Sequence, residues 1–415
     1  MKFIADFHLH SKYSRATSPR MDLENLDKWG RIKGIKLLGT GDFTHPVWLK
    51  ELKEKLEPAE SGLFKIKNNN KETRFILSAE ISCIYSKKGR VRKIHTVILA
   101  PSFKIVEKIN SRLDFIGNLK ADGRPILGLD VKELAKIVLD ASEKCLVIPA
   151  HVMTPWFSLF GSKSGFNSIK ECFEEYTKYI YALETGLSAD PSMLWRTAEG
   201  QKLTLISNSD AHSPEKIGRE ANIFDTEISY PAIFEAIKSK DPKKFLSTIE
   251  FFPQEGKYHF DGHRNCNVRL SPSETKKYNN ICPNCGKGLT VGVLNRIEQI
   301  AVKPEGFKPK NAIPFKSFVP LKEIVAEVLG MTVASKKVEE RYNNLLGKLG
   351  SELKILLDIS SEKIQEVTGP EIAEGIIRVR EGKIFIDPGY DGVYGTVRIF
   401  SQQESKASSK QKTLF

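Results

Sequence analysis

Short apolar runs alternate with amphipathic stretches through about the first 225 residues of the chain. Seven of these runs predict β-strands, and helical periodicity between most of them predicts intervening helices. The predicted strands are residues 2–9, 36–43, 74–81, 94–100, 145–151, 179–185 and 203–209. Strand and helix in alternation indicate parallel strand pairing, so this region is expected to form an α/β barrel or an open sheet.

Helices are predicted in this region at residues 23–35, 130–142, 168–179 and 229–240. Asp130 stands where its side chain can accept a hydrogen bond from the first turn of the second of these helices. A further strand is predicted over residues 244–252, directly after the last helix.

The pattern changes near residue 255, where hydrophobic periodicity is lost over residues 254–266. A helix is predicted over residues 291–301, and the segment 303–317, rich in Pro, Lys and Phe, is expected to be a loop or linker. Helical periodicity returns over residues 320–347. Two short strands are then predicted within residues 378–389 and 394–400.

The chain of 415 residues has 64 Lys and Arg against 51 Asp and Glu, which gives a formal net charge of +13. This excess favours polyanionic partners, with nucleic acid first among them. The sequence contains no apolar run long enough for a transmembrane helix, and the N-terminal residues lack the features of a secretory signal. Six cysteines are too few for a disulfide scaffold. A cytoplasmic, nucleoid-associated location without membrane contact is therefore expected.

Side chains of the metal-ligating types collect at the ends of the predicted strands. They are His8, His10, Asp42, Glu80, His95, His151, Asp210 and His212. The C-terminal ends of parallel strands meet on one face of a barrel, and residues i and i+2 of a strand point to the same side. A lone histidine at a strand end is more often a structural residue, but this conjunction predicts a metal site. Imidazole with carboxylate suits divalent ions, and eight ligands imply two or three of them.

A second cluster of ligand-type side chains lies near the change in pattern. Cys282 and Cys285 are separated by two residues and followed by a glycine, which is a strong zinc-knuckle signal. His263 and Cys266 have the same spacing upstream, so the four together predict a closed, structural Zn²⁺ site. His259 is an alternative fourth ligand, and a reduced cysteine pair without a metal is the alternative to the whole site. The other three cysteines are expected in the core.

The segments FHLHSKYS, GTGDFTH, SAEIS, KIHTVIL, IPAH and NSDAHSPEKIG resemble the successive motifs of the PHP (polymerase and histidinol phosphatase) superfamily. The resemblance implies a distorted seven-stranded β/α barrel with a trinuclear metal site, whose ligands would be the eight residues at the strand ends. The chain departs from the commonest pattern at Phe43, where many members have a histidine. His45 is a weak substitute for that ligand, and Glu184 is expected to be a ligand or to support one.

Farther along, YHFDGHRNC, CPNCGKGLTVGVLNRIEQIA and RVREGKIFIDPGYDGVYGTVRIF, taken with the PHP motifs, closely resemble the endonuclease Q family of archaeal-type DNA repair endonucleases. This resemblance, from residue 1 to about 400, implies a metal-dependent phosphodiesterase that recognises uracil, hypoxanthine, xanthine and abasic sites in DNA. It implies a cut on the 5′ side of the lesion. One Zn²⁺ would be structural, two or three Zn²⁺, Mn²⁺ or Mg²⁺ ions would be catalytic, and Glu80, Asp210 and His212 would be catalytic residues.

The patterns and the resemblance together divide the chain into four parts. These are residues 1–252, the PHP catalytic domain; 253–302, the zinc-binding module; 303–400, a helical DNA-binding region; and 401–415, a flexible tail. The tail ends in KQKTLF, which looks like the start of a motif that binds the sliding clamp PCNA, with Gln411, Leu414 and Phe415 as anchors. The usual motif continues to two aromatic residues, so a shortened chain, a minimal motif and a chance match all remain open.

Candidate contacts to DNA are spread over the first part of the chain. They are Arg15, Lys163, Arg196 and Arg219, and the alternative for the last two is that they are solvated helix residues. The loop of residues 154–166 mixes Trp156, Phe157 and Phe160 with Lys163. It is either a wedge that stacks on a base or a hydrophobic lid or core segment.

Two other functions compete with the DNA repair endonuclease. A PHP-type small-molecule phosphatase, similar to histidinol phosphatase, explains residues 1–225 but leaves the second ligand cluster without a role. A DNA-binding or clamp-tethered scaffold with an inactive metal site is disfavoured by the intact ligand series.

Overall fold

Seven strands follow one another around a barrel in a computed structural model that describes residues 1–68 and 73–401. All the strands, in chain order, are β1 (Lys2–Asp6), β2 (Leu37–Gly39), β3 (Leu56–Pro58), β4 (Phe64–Ile66), β5 (Arg74–Lys87), β6 (Arg90–Ala100), β7 (Ile126–Leu127), β8 (Leu146–Pro149), β9 (Ala182–Glu184), β10 (Thr204–Ile206), β11 (Ala221–Asp225), β12 (Phe245–Glu250), β13 (Asp261–His263), β14 (Val268–Leu270), β15 (Phe315–Ser317), β16 (Phe385–Asp387) and β17 (Thr396–Arg398).

The helices lie between these strands and, in the last quarter of the chain, largely beyond them. They are α1 (Leu23–Lys33), α2 (Pro46–Lys55), α3 (Phe103–Leu113), α4 (Val131–Ala141), α5 (Ile169–Phe173), α6 (Pro191–Leu194), α7 (Ala198–Lys202), α8 (Tyr230–Ser239), α9 (Pro272–Lys277), α10 (Val293–Ile300), α11 (Leu321–Leu329), α12 (Lys336–Leu349), α13 (Glu352–Leu357), α14 (Ser361–Thr368) and α15 (Pro370–Arg380). Asp130 caps α4 as predicted, because its side chain accepts from the Lys132 backbone N–H. Among the described residues, no helix is long and apolar enough to span a membrane.

The barrel runs β1, β2, β5, β6, β8, β9 and β10, which are the seven strands predicted from the sequence. β1 pairs in parallel with β2, β2 with β5, and β9 with β10. A hydrogen bond from the Val152 N–H to the Glu184 oxygen links the ends of β8 and β9, and a parallel bridge between Leu9 and Ala211 closes the circle. The predicted α/β barrel is therefore confirmed.

The expectation of parallel pairing throughout is wrong for β6, which runs antiparallel to both β5 and β8. The cause is the two-residue turn between β5 and β6. Lys88 and Gly89 have φ of 53° and 72°, the left-handed values of the turn that joins the two strands of a tight hairpin. At the mouth of the barrel, the parallel strands therefore present their C-terminal ends, whereas β6 presents its first half.

Alternate residues of the barrel strands form one buried apolar cluster, which includes Phe3 and Ala5 of β1 and Phe7 directly after it. Such alternation is expected because successive side chains of a strand point to opposite faces. Helix α8 covers this cluster with Ile233 and Ile237. The barrel is thus a packed core that leaves the strand ends free to carry polar side chains.

The main sheet extends beyond the barrel through β11, β12 and β15. β11 pairs antiparallel with β1 and with β12, and β15 pairs in parallel with β12. The loop predicted over residues 303–317 therefore contributes a strand to the sheet of the first part of the chain. Phe318 and Val319, which follow β15, are buried in the larger apolar core. This strand was not predicted because β15 has only three residues and is partly exposed.

The C-terminal helices α11 to α15 share one apolar core with the outer helices of the barrel. A buried ion pair of 2.7 Å between Lys33 Nζ and Glu352 Oε2 links α1 to α13. The hairpin of β16 and β17 leaves these helices and lies against the segment 253–302. There Asp391 accepts hydrogen bonds from the Arg264 backbone N–H and the Thr290 hydroxyl. The first three parts that follow one another along the sequence are therefore interleaved in space.

Candidate functional site

Six of the eight predicted metal ligands meet at the mouth of the barrel. They form two groups that share one carboxylate: His8, His10, Glu80 and Asp210, and Glu80, His95 and His151. Within each group, ligand atoms of all members lie within 4.8 Å of one another. The side chain of Asp210 is 27% exposed whereas that of Glu80 is buried, so the cluster opens to solvent on the Asp210 side.

The chain turns sharply where several of these side chains enter the site. Asp42, His151 and Asp210 have φ of 48°, 29° and 48°, in the left-handed region that side chains with a Cβ seldom adopt. Such conformations cost energy and persist where the surrounding structure enforces them. All three residues lie two to four positions after the end of a buried barrel strand, so the turns aim their side chains at the mouth.

Each of the first two histidines has one ring nitrogen held from behind and the other facing the cluster. His8 Nδ1 lies 3.0 Å from Glu184 Oε1, and His10 Nδ1 lies 3.2 Å from Asp42 Oδ1. A carboxylate on one nitrogen fixes the ring orientation and leaves the other nitrogen to bind a metal. His10 Nε2 faces Asp210 Oδ1 at 3.0 Å.

Glu80 is the centre of the arrangement. Its Oε2 lies 3.3 Å from His10 Nε2, and its Oε1 lies 2.7 Å from His95 Nδ1 and 3.1 Å from His151 Nε2. Thr154 Oγ1 holds the other nitrogen of His151 at 3.1 Å. One carboxylate between two sets of imidazoles is an arrangement that suits two closely spaced ions.

The electrostatics of the cluster favour bound cations. Burial alone lowers the pKa of His8, but Glu184, Glu80 and Asp210 together raise it well above the usual value. Burial raises the pKa of Glu80, but His95 and His8 hold it well below the usual range. Burial lowers the pKa of His95 to about 4, so this ring is neutral and ready to act as a ligand.

The residues present fit divalent ions. His8 Nε2 is buried and, among the described residues, has no hydrogen-bond partner, although it points between Glu80 and Asp210 at 3.6 Å from each. An unpaired buried nitrogen is costly, and a metal ion on that nitrogen would remove the cost. The donors are imidazole nitrogens and carboxylate oxygens, which suit Zn²⁺, Mn²⁺ and similar ions.

Asp42 and His212 lie beside the two groups and outside them. Both carboxylate oxygens of Asp42 are already engaged, by His10 Nδ1 and by the Ser11 N–H and the Ser11 and Ser14 hydroxyls. His212 is 31% exposed, and its Nδ1 lies 2.9 Å from the backbone oxygen of Asp210. This geometry places Asp42 behind His10, where it supports a ligand, and leaves ligation by either residue as a prediction.

Two alternatives from the sequence are decided by position. Glu184 supports ligands from behind, since it contacts His8 and also accepts the His151 backbone N–H at 2.8 Å. His45 caps the start of α2 by accepting the Trp48 backbone N–H, and it stacks on Tyr13, so it does not reach the cluster. It therefore does not replace the ligand that is missing at Phe43.

Arg124 was not found from the sequence. Its Nη1 lies 3.1 Å from Glu80 Oε2, and its side chain is 25% exposed. It comes from the loop that precedes β7, where neither periodicity nor a ligand-type spacing distinguishes it from the other arginines of a basic chain. The position gives the mouth of the barrel one fixed positive charge beside the carboxylates.

The second ligand cluster is also assembled. His263, Cys266, Cys282 and Cys285 have ligand atoms within 4.8 Å of one another, and Cys285 Sγ lies 3.4 Å from His263 Nδ1. Burial opposes ionisation of Cys282, but the N–H groups of Asn284 and Cys285 lower its pKa to about 7. His259 is buried next to Phe260 and outside this group.

The predicted DNA contacts differ in accessibility. The side chain of Arg15 is 75% exposed, and Lys163 is exposed. Arg219 is half-buried, and its Nε donates to the Ser209 oxygen at 2.9 Å, just before Asp210. The prediction that Arg196 contacts DNA is wrong, because Arg196 is 7% exposed and forms an ion pair with Glu298. It joins α10 to the barrel and is not available to a phosphate.

The loop after β8 connects the two ligand clusters. Phe157 lies against His95 with ring centroids 4.8 Å apart, and Phe160 is fully buried. Trp156 is 41% exposed and meets Tyr258, which precedes the second cluster, at 5.7 Å. Of the three aromatics, therefore, only Trp156 offers a substantial open surface.

The tail residues Gln411, Leu414 and Phe415 lie outside the described residues, so clamp binding stays a prediction.

Two family models match parts of the chain. One, described as the MJ0043 C-terminal domain, matches residues 320–383, and one described as PHP-associated matches residues 194–242. The chain is also 32% identical to the lesion-specific endonuclease PfuEndoQ from Pyrococcus furiosus. That match covers 98% of this chain and 99% of the other, with a TM-score of 0.86. The chain belongs to the endonuclease Q family.

Other relatives extend this comparison. A structure of endonuclease Q in complex with a 27-mer duplex substrate, with an abasic lesion at the active site, is 32% identical over 98% of both chains, with a TM-score of 0.84. The uncharacterized protein YqxK of Bacillus subtilis is 28% identical over 96% of this chain and 99% of its own length. The uncharacterized protein MJ0043 of Methanocaldococcus jannaschii is 33% identical over 261 residues, which is 60% of this chain but only 32% of that protein.

Proposed function

We propose that this chain is a metal-dependent DNA repair endonuclease that cuts the phosphodiester on the 5′ side of abasic sites and of deaminated bases. The observation that carries the proposal is its full-length match to an endonuclease Q whose structure contains a duplex with an abasic lesion at the active site. The ligand cluster at the barrel mouth supports it, because the cluster has the residues that a hydrolytic metal site requires.

The proposed roles follow from the contacts. The two groups of His8, His10, Glu80, His95, His151 and Asp210 would hold two ions. Such ions would supply activation of water and neutralisation of the charge that develops on the phosphate under attack. Glu184 and Asp42 orient the two N-terminal histidines, and Thr154 orients His151. Asp210 lies on the open side of the cluster, where a DNA phosphate would enter.

The second cluster would hold a structural Zn²⁺. All four of its ligands come from protein side chains, which leaves no open position for a substrate. Its role would be to fix the chain that leads into α10, in which Tyr258 meets Trp156 of the loop after β8. Residues 253–302 would therefore shape the DNA surface and take no part in the chemical step.

Recognition of a deaminated base requires that the base leave the helical stack, because its distinguishing edge is otherwise paired. Exposed aromatic rings with nearby lysines are the side chains that stack on unpaired bases. Trp156 and Tyr258 meet at 5.7 Å, and Lys257 Nζ lies between the rings of Tyr258 and Tyr394, at 6.0 Å and 5.4 Å. We assign this strip, Trp156, Tyr258, Lys257 and Tyr394, to contact with the unstacked bases.

The experiment is a nicking assay on an end-labelled duplex that carries one abasic site, hypoxanthine, xanthine or uracil in a fixed context. The control is the same duplex without the lesion, and Mg²⁺, Mn²⁺ and Zn²⁺ are supplied separately. A cut directly 5′ of the lesion, only with a metal and only on the damaged strand, is the expected result. Release of phosphate from a small phosphomonoester without any cut of DNA would overturn the proposal in favour of a phosphatase.

A further inference from the structure

A loop on the rim of the barrel mouth holds two arginines with one buried carboxylate. Asp122 is 6% exposed, and its Oδ1 accepts the backbone N–H groups of Arg15 at 3.2 Å and of Arg124 at 3.1 Å. Its Oδ2 lies 3.3 Å from Arg15 Nε. One carboxylate therefore fixes two segments that lie more than 100 positions apart in the sequence.

The same loop is locked against the metal-binding cluster. The Gly123 N–H donates to the Tyr13 oxygen at 3.0 Å, and the Thr44 hydroxyl donates to the Gly123 oxygen at 3.2 Å. A Cβ added to Gly123 would lie 2.3 Å from Asp42 Oδ2, so no larger residue fits there without displacing Asp42. The backbone just before Arg124 is therefore held in a fixed position against Asp42.

The two guanidinium groups differ in depth. Arg124 reaches Glu80 at 3.1 Å with a quarter of its side chain exposed, whereas three quarters of the Arg15 side chain is exposed. An ion pair with Glu80 uses one edge of the Arg124 fork and leaves other N–H groups for a second acceptor. A planar, permanently charged fork beside a hydrolytic site matches the oxygens of a phosphate.

Resting on the proposed endonuclease function, we propose that Arg124 contacts a non-bridging oxygen of the scissile phosphate and that Arg15 contacts a neighbouring phosphate of the same strand. Arg124 is then a catalytic residue, since it faces charge that grows during displacement. Asp122 is a positioning residue that sets both arginines. The competing role is that of a counter-ion, in which Arg124 only offsets the buried charge of Glu80.

Kinetics separate the two arginines. Arg124→Ala should lower kcat by about 10²- to 10³-fold, as expected for loss of one group that stabilises developing charge, and Arg124→Lys should restore part of the loss. Arg15→Ala should raise KM and leave kcat within about threefold, because a flanking contact acts equally in the ground and transition states. Asp122→Asn should show both effects in weaker form. Arg112→Ala, an exposed arginine on α3, is the matched control and should change neither constant.

Binding separates a phosphate contact from a counter-ion. In an Asp210→Asn background, which prevents cleavage, affinity is measured for an abasic duplex with either a normal phosphodiester or a neutral methylphosphonate at the scissile position. Arg124→Ala should weaken binding of the phosphodiester duplex about tenfold and leave binding of the methylphosphonate duplex unchanged. Metal content should equal that of the parent.

The outcomes distinguish this inference from the function it rests on. An equal loss of affinity for both duplexes, or cleavage by Arg124→Ala within threefold of the unchanged chain, overturns the inference and leaves the endonuclease standing. An unchanged chain that neither binds nor cuts the abasic duplex overturns both.

Discussion

The two ligand clusters of this molecule are built in opposite ways. The cluster at the barrel mouth takes its side chains from strands that span residues 8 to 210, is largely buried, and has carboxylates behind its histidines. The second cluster takes its four ligands from within 23 positions, and its Cys285 is exposed. The first depends on the whole barrel, and the second needs only one hairpin and one knuckle.

The ligand types and their support indicate which of the two clusters suits a chemical reaction. Nitrogen and oxygen ligands around a shared carboxylate leave positions for water and phosphate, whereas a closed set of three thiolates and one imidazole leaves none. The carboxylates that hold the far nitrogens of His8 and His10 lead to the same conclusion, since ligands that must be oriented for a reaction are held by further hydrogen bonds. Substitutions at Glu80, Cys282, Asp42 and Glu250 should therefore have distinct effects.

The largest effect is expected for Glu80→Gln. Glu80 belongs to both groups of ligands, so its loss removes the negative charge that two ions would share. Lesion cleavage should fall by at least about 10³-fold, with loss of the catalytic ions in elemental analysis and an unchanged circular dichroism spectrum. Glu133→Gln, on the exposed face of α4, is the matched control. Unchanged cleavage by Glu80→Gln would show that the assigned cluster is not the active site.

Cys282→Ser should disrupt the second ligand cluster. It should remove one zinc per chain and lower the Tm by at least about 5 °C, because binding energy at a closed site is folding energy. The ions of the barrel cluster should remain. Cys145→Ala, which removes a buried thiol outside the module, should keep the zinc. Loss of all metals together in Cys282→Ser would contradict the independence of the two clusters.

Asp42→Asn sharpens the distinction between a ligand and its support. If Asp42 only orients His10, an amide oxygen can still accept the Nδ1–H, and activity at limiting metal should fall about 10- to 100-fold. Saturating metal should then restore most of the rate. A loss that no metal concentration restores would mean that Asp42 is itself a ligand, as the sequence pattern indicated.

The smallest effect on activity is expected at Glu250, a buried carboxyl group at the end of β12 that accepts hydrogen bonds from Thr185 and Thr248. Burial, aided by the charge of Asp190, raises the pKa of Glu250 to about 8. Burial also raises the pKa of Glu220 nearby. The folded protein therefore holds this proton more tightly than the unfolded chain. The free energy of unfolding should be greatest below the unfolded pKa and decline as pH rises through about 8, by at most about 1.4 kcal/mol per pH unit.

Denaturant unfolding between pH 5 and pH 9 measures this decline. Glu250→Gln should flatten it, since an amide cannot ionise, while cleavage of the abasic duplex at neutral pH stays within about twofold of the parent. An identical pH slope in the parent and in Glu250→Gln would assign the decline to other groups.

The sequence was most informative where the chemistry follows local spacing. The pairs His8 with His10 and Cys282 with Cys285 are visible because strand alternation and the knuckle turn place neighbours side by side. The antiparallel course of β6 was missed because its cause is a two-residue turn at Lys88 and Gly89. His95 stands near the start of its predicted strand and reaches the mouth because β6 runs antiparallel; the sequence identified it by its residue type and by the KIHTVIL motif.

What the sequence did not disclose depends on contacts across the fold. Asp42 has the residue type and position of a ligand, and only its hydrogen bonds place it behind His10. Arg196 and Arg15 are both arginines, yet Arg196 is buried in an ion pair with Glu298 whereas Arg15 is exposed. Arg124 reaches Glu80 from a loop without periodicity. Such distinctions are set by three-dimensional packing and leave no pattern along the chain.

The cluster at the barrel mouth, and not the second ligand cluster, is expected to make the cut at the lesion. Single-turnover cleavage of the abasic duplex, with the cut mapped to the nucleotide, tests it for the unchanged chain, for Asp210→Asn combined with His212→Ala, and for Cys282→Ser. One cut 5′ of the lesion is expected from the unchanged chain, none from the double variant, and a weaker cut at the same bond from Cys282→Ser. A double variant that cuts that bond at the unchanged rate would show that the cluster at the barrel mouth does not make the cut.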